Sequence, residues 1–241
     1  RWRSFLVLGL LNNAIPFTLI FMGETEIGAG LASILNATTP LWTVLATHAT
    51  TTNEKLNGAK LAGCALGLAG TILLIGPGAL ADVGGKVWAE LAVIAASASY
   101  ASGFAFGRRF SSLPAPVTAT GQLTASTLLM LPTALIIDQP WHLPMPPASA
   151  MAAVLGLAWL STAFAYILYF RIIQRAGATN TSLVTFIVPP SAILLGVVFL
   201  GEHLRGGEFA AMVFIAAGLL CIDGRLQTAW KGLVRMRSNA R

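Results

Sequence analysis

The sequence predicts an all-α, polytopic membrane protein: a helical bundle of inverted repeats, with 8 transmembrane helices present out of an expected 10. Composition, the length of the apolar runs and the side on which positive charge falls predict it. Of 241 residues, 56% are hydrophobic and 10% are Asp, Glu, Lys or Arg, too few charges to coat a water-soluble globule. Apolar runs such as 5–22, 61–75 and 150–170 approach the ~20 residues a helix needs to cross ~30 Å of hydrocarbon. They do not alternate as barrel strands would.

The first span, 4–23, is apolar apart from Asn12 and Asn13. The second, 31–50, is rich in small residues and has Pro40 near its middle. The third, 58–75, carries Gly63, Gly67 and Gly70, a spacing that lets a neighbouring helix approach closely. Spans 88–107 and 117–137 follow, and then a stiff external loop with Pro140, Pro144, Pro146 and Pro147. Spans 150–170, 181–200 with Pro189 and Pro190, and 207–222 complete the series ahead of a basic tail, 224–241. Most linkers are only a few residues long, so successive helices are expected to be antiparallel neighbours.

Eight crossings place Arg1, Arg3, Lys55, Lys60, Arg108, Arg109, Arg171, Arg175, Arg225, Lys231, Arg235, Arg237 and Arg241 on one face, thirteen of the fifteen basic residues. Only Lys86 and Arg205 fall on the other. This is the positive-inside pattern, and it puts both termini in the cytoplasm. The net charge of +6 therefore reports topology, and no nucleic-acid partner is expected. Cys64 and Cys221 lie in apolar spans, where no disulfide is expected. His48, His142 and His203 make no metal spacing. Gly84, Gly85 and Lys86 lack the rest of a phosphate loop, since Leu80 and Val87 occupy its other positions. No metal and no cofactor are expected.

The most specific signal is internal. Ala14, Leu19, Phe21, Gly28, Ala29, Ser33 and Pro40 recur as Ala163, Leu168, Phe170, Gly177, Ala178, Ser182 and Pro189, at a constant spacing of 149. After one extra residue, Glu54, Leu56, Gly58, Ala69 and Gly70 recur as Glu202, Leu204, Gly206, Ala217 and Gly218. An odd number of crossings separates the copies, so they sit upside down relative to each other. Two such halves can pack in two nearly isoenergetic ways, open to either side. Spans 88–107 and 117–137 precede the second copy without counterparts ahead of the first, and the chain opens on Arg1. About two further helices are expected upstream.

A helix with a central Pro, a Gly-Glu type turn and a Gly-rich helix, seen best from Pro189 through Gly201, Glu202, His203 and Leu204, resembles the EamA-like members of the drug/metabolite transporter superfamily. The first copy departs from that pattern at Asn53 and in its polar run Thr47, His48, Thr50, Thr51 and Thr52. The resemblance implies ten helices in two five-helix inverted repeats. On it, residues 1–77 end the first repeat, 86–223 form the second, and 224–241 are a cytoplasmic tail.

Pro40 and Pro189 lack the N–H that would bond the carbonyls of Asn36 and Thr185, so those carbonyls are expected to be free near the midplane. Asn12, Asn13, Asn36, Trp42, Tyr100, Gln122, Tyr166 and Tyr169 put polar groups at depth, where each needs a partner. The substrate-binding set expected is Asn36, Pro40, Trp42, Tyr100, Gln122, Tyr166, Thr185 and Pro189. Each also has a simpler reading as a packing kink, a helix-to-helix hydrogen bond or an interfacial anchor. Glu54 and Glu202 are read as stabilising the starts of the helices that follow them. No carboxylate lies near the centre of a span, so no acidic proton relay is visible.

The function expected is secondary transport of small organic metabolites, amino-acid-like or drug-like, by alternating access; export is implied by the resemblance alone. The alternatives are a truncated, non-transporting membrane protein and, with no interfacial cluster of ionisable residues to support it, a membrane enzyme acting on lipid-like substrates. The partners expected are a small-molecule solute, the lipid bilayer and a second copy of the chain, with the protein multi-pass in the plasma membrane. A fluorescent protein fused after Arg241 is expected to fluoresce, and alkaline phosphatase inserted at 138–147 to be active; the reverse pattern would overturn the orientation.

Overall fold

A computed structural model describes residues 2–51, 54–81, 83–137, 139–142, 144–200 and 206–223. Glu202 with the turn around it, and the basic tail, lie outside the described residues. Within them every regular element is helical. Six helices are long and apolar enough to cross a membrane: α1 (Trp2–Glu24), α2 (Ala29–Thr50), α3 (Gly58–Ile75), α4 (Val87–Phe110), α5 (Ala115–Ile137) and α6 (Ala148–Ser182). Two further apolar helices follow, α7 (Val184–Leu200) and α8 (Gly206–Asp223).

The sixth helix departs from the expected 150–170. It runs through Arg171 and Arg175 and breaks only at Gly177, whose φ of +84° suits a residue without a Cβ. Hydropathy marks where the apolar stretch ends, whereas the helix ends where the backbone leaves helical space. A short helical segment, 178–182, then leads into α7.

Pro40 also corrects its reading. It does not interrupt a continuous helix. The chain turns at Ala37 and Thr38, and Pro40 lies in the first turn of the helical segment that restarts at Thr39, where its missing N–H costs nothing. Nor is the Asn36 carbonyl free, because the Thr39 hydroxyl donates to it at 2.7 Å. Pro189 and Pro190 do lie inside α7.

The two halves meet along α3 and α8, which pack together more extensively than any other pair. A Cβ on Gly63 would fall 2.7 Å from the Gly218 carbonyl oxygen, and one on Gly70 would fall 2.9 Å from that of Ala211. In the repeat register Gly63 corresponds to Ala211 and Gly70 to Gly218. The two contacts therefore exchange under the repeat, and a pseudo-two-fold axis runs between these helices. Lipid supplies no hydrophobic force between helices, so close backbone approach and dispersion must hold the pair. Elsewhere α4 packs against α1, α2 and α6. Phe5 of α1 lies over Gly121 of α5, where a Cβ would meet its ring at 2.7 Å.

Glu54 does not serve the helix after it. Asn57 caps α3, its side chain accepting the Lys60 N–H at 2.9 Å. The Glu54 carboxylate reaches the segment after Gly177 in the other copy.

Gly218→Ala would place a methyl group 2.6 Å from the Gly63 carbonyl oxygen and 2.7 Å from the Gly67 nitrogen. It is expected to destabilise the detergent-solubilised protein by roughly 1–3 kcal/mol, read as a lower thermal midpoint by size-exclusion fluorescence. Gly156→Ala, with nothing within 4 Å, is the control expected to leave the midpoint unchanged.

Candidate functional site

Asn12 and Asn13 sit in a π-helical turn, Leu10–Ala14, inside α1. The wider turn disturbs the normal backbone ladder, and side chains take up the carbonyls it exposes. Ser99 of α4 donates to the Leu11 carbonyl at 2.9 Å, and the Tyr166 hydroxyl of α6 donates to the Asn12 carbonyl at 3.3 Å. The second copy has its own π-helical turn, Leu157–Phe164. There Ser161 and Thr162 occupy the positions of Asn12 and Asn13 in the repeat register.

Around the first turn a closed network forms. Asn12 Nδ2 donates to Gln122 Oε1 and to the Tyr169 hydroxyl, both at 3.1 Å. Gln122 Nε2 donates to Asn13 Oδ1 at 2.7 Å, and the Ser126 hydroxyl donates to the same oxygen at 3.1 Å. Asn13 Nδ2 donates to the Tyr166 hydroxyl at 2.8 Å. Gln122 is fully buried. In low dielectric such a network fixes each member in one rotamer, because a lost partner leaves a costly orphan. Asn12 Oδ1 accepts no hydrogen bond among the described residues. It occupies the place a Cβ would take at Gly103, so it faces that glycine's Cα–H.

Beside this network lies a cavity of about 350 Å³. Its wall is paired across the repeat: Asn12 with Ser161, Phe17 with Tyr166, and Asn36 with Thr185. Tyr100 and Phe104 of α4 complete it, with Tyr169 of α6. The aromatic faces meet edge-on or tilted, Phe17 to Tyr100 at 6.4 Å and Phe104 to Tyr169 at 5.2 Å between centroids, as ring quadrupoles prefer. None of these lining side chains is a carboxylate, Lys or Arg. The chemistry on offer is stacking plus amide and hydroxyl hydrogen bonds.

A larger recess of about 750 Å³ opens where α2, α4 and α6 end, with Arg108, Arg109, Gln174 and Arg175 on its wall. It lacks the pairing of the central cavity.

Of the residues expected at the site, Asn36, Tyr100, Tyr166 and Thr185 line the central cavity. Gln122 stands behind the wall, orienting Asn12 and Asn13. Trp42 lies outside it, half exposed, with its indole N–H donating to Thr38 Oγ1 at 3.3 Å. Pro40 and Pro189 are also absent from the wall. Sequence reasoning missed Ser161, Thr162, Phe17 and Phe104. The repeat register carried the signal for the first two, since it sets Ser161 and Thr162 opposite a pair of buried amides. Among the described residues no group of three or more His, Cys, Asp or Glu could hold a metal ion.

Comparison with known proteins agrees with this architecture. The sequence pattern of the EamA-like transporter family matches residues 1–76 and 87–222. The chain is 28% identical to "Protein PecM" of Dickeya dadantii, over 92% of the chain and 73% of that protein. It is 26% identical to the "Probable terminal-alkyne amino-acid exporter" of Streptantibioticus cattleyicolor, over 86% of the chain and 68% of that protein. It is also 26% identical to the "Probable amino-acid metabolite efflux pump" of Salmonella typhimurium, over 79% and 66%. A solved crystal structure shares the fold with a TM-score of 0.76 at 24% identity, over 92% of the chain and 76% of the other.

Gln122→Leu would remove one hydrogen bond from each of the Asn12 and Asn13 amides, which keep Tyr169 and Ser126 as partners. The expected loss is about 1 kcal/mol of stability for each bond removed, seen as a lowered thermal midpoint in detergent. Thr127→Ala, an exposed position bonded only to its own helix, is expected to leave the midpoint in place.

Proposed function

The chain belongs to the EamA-like transporter family of the drug/metabolite transporter superfamily, and from that premise we propose that it is a secondary transporter exporting small organic metabolites by alternating access. One observation carries the reading. The central cavity is walled by residues paired across the pseudo-two-fold axis, so that rocking one half against the other presents equivalent surfaces to either side. The solute class is amino-acid-like or drug-like. Names of relatives support this, two of them being called an amino-acid exporter and an amino-acid metabolite efflux pump.

Asn36, Thr185, Tyr166 and Tyr100 contact the solute in this reading. The amide and hydroxyls fix its polar part, and the rings take its flat or apolar part. A wall without formal charge suits solutes that are neutral overall, because no buried counter-charge need be matched. Pro40 and Pro189 shape the helices that carry Asn36 and Thr185. The charge asymmetry supports a plasma-membrane orientation with both termini cytoplasmic. Residues 1–77 fall in the first repeat and 86–223 make the second.

Proteoliposomes loaded with a mixed pool of amino acids and nucleosides provide the test, with efflux followed by mass spectrometry. At least one component is expected to leave faster than from protein-free vesicles. Tyr166→Ala and Asn36→Ala are each expected to slow that efflux by about ten-fold, the effect of losing roughly one well-made polar contact. Equal efflux from parent and variants would overturn the assignment of the cavity.

A further inference from the structure

The recess at the ends of α2, α4 and α6 differs from the central cavity in charge. Arg108 and Arg109 from the end of α4 and Arg175 from α6 stand on its wall. The positive-inside bias accounts for arginines on this face, but it does not require three of them to converge on one concave wall. Among the described residues their one ion pair is Arg108 with Glu54, Nη1 to Oε1 at 3.0 Å. That contact is not aligned as a hydrogen bond. The Glu54 carboxylate is already committed to the Ala178 and Thr179 N–H groups, at 3.1 and 2.9 Å. Arg109 and Arg175 have no carboxylate partner among the described residues, so two positive charges are left unbalanced there.

Other parts of the wall steady the guanidiniums and add an apolar surface. Arg109 lies over the Phe106 ring, with Cζ 4.8 Å from its centroid, a cation–π contact that limits where its donor fork can point. Phe106 itself lines the recess, with Leu11, Ala105 and Ile173. At about 750 Å³, the recess falls in the size range of organic ligand sites, far beyond a bare inorganic ion. A concave site with low-dielectric walls and charges of one sign concentrates counter-ions. Planar guanidiniums match the paired oxygens of a carboxylate or phosphate.

We propose that this recess binds an amphiphilic oxyanion, a carboxylate or phosphate held by Arg109 and Arg175 with an apolar body resting on Phe106, Leu11 and Ile173. Charge-assisted bonds to the two arginines supply most of the affinity, while Arg108 stays with Glu54 and adds attraction at longer range. Two sources carry this chemistry: an anionic phospholipid of the leaflet on the arginine side, and an organic acid from the water beside it. Basic pockets between helix ends at headgroup level suit the first, and the size of the recess suits either. The site does not depend on the transport assignment, because its occupancy is read by binding alone.

The full chain in dodecylmaltoside is titrated separately with phosphatidylglycerol and with phenylacetate, half-saturation being taken from the shift in thermal midpoint. Phosphatidylcholine and phenethyl alcohol, similar in shape but without net negative charge, are expected to bind at least about ten-fold more weakly. Arg109→Gln and Arg175→Gln are each expected to raise the half-saturating concentration of an anionic probe about ten-fold, the effect of one charge-assisted hydrogen bond. Both side chains are exposed, so the midpoints without probe should match the parent. Arg3→Gln removes the same charge from an exposed position outside the recess and should leave binding unchanged. Saturation by the lipid alone assigns the site to a headgroup, by phenylacetate alone to an organic acid, and by both to the shared oxyanion chemistry. Saturation by neither, or equal binding of the uncharged controls, overturns the proposal. Equal weakening by Arg3→Gln and Arg175→Gln overturns it as well, since binding would then follow surface charge, and so does unchanged binding in both recess variants.

Discussion

Hydrocarbon offers no hydrogen bonds, so each backbone N–H and C=O of a spanning helix must find its partner inside the protein. The irregular parts of this chain answer to that constraint. Where α1 widens into a π turn, Ser99 and Tyr166 take up the carbonyls of Leu11 and Asn12. Where the second helix restarts at Thr39, a threonine hydroxyl takes up the Asn36 carbonyl. Where the sixth helix breaks at Gly177, a carboxylate from the other copy takes up the next two N–H groups. The departures at the π turn and at Gly177 are therefore also points at which separate helices are tied together. The cavity lies among these ties.

Much of the fold was legible in the sequence because lipid solvation leaves a coarse, strong imprint. Apolar runs marked the helices that cross the membrane. The repeat, read from seven residues at one spacing, gave the inverted architecture. Finer features were not legible, for physical reasons. A π turn has no composition of its own, and Asn12 and Asn13 could as well have been helix-to-helix bonds. Hydropathy fell at Arg171, but long basic side chains carry a helix beyond the apolar layer, so the helix continued to Gly177. Pro40 looked like a mid-helix kink, yet the turn at Ala37 and Thr38 supplied a helix start for it. Four of the eight expected site residues line the cavity. Gln122 missed the wall because its amide was committed to two neighbours, and Trp42 because its indole faces outward.

The glycine-lined contact of α3 with α8 is a packed seam. The backbones approach at Gly63, Gly70 and Gly218, and the Ile222 and Ile215 side chains fill the space beside Gly63 and Gly70. Phe186 lies against Gly67, and all three side chains are buried in one apolar cluster. Interlocked side chains of this kind hold discrete packings and resist continuous deformation.

The length of α6 carries a final consequence. At 1.5 Å per residue, its 35 residues would span roughly 50 Å if straight, against ~30 Å of hydrocarbon. Even shortened by the break at Gly177, such a rod leans in the bilayer or stands proud of it. Tyr166 and Tyr169 ride on the same rod. Its apolar stretch, 150–170, takes up roughly 30 Å of that length, so these two rings stay within the hydrocarbon while Arg171, Arg175 and the break at Gly177 stand beyond it.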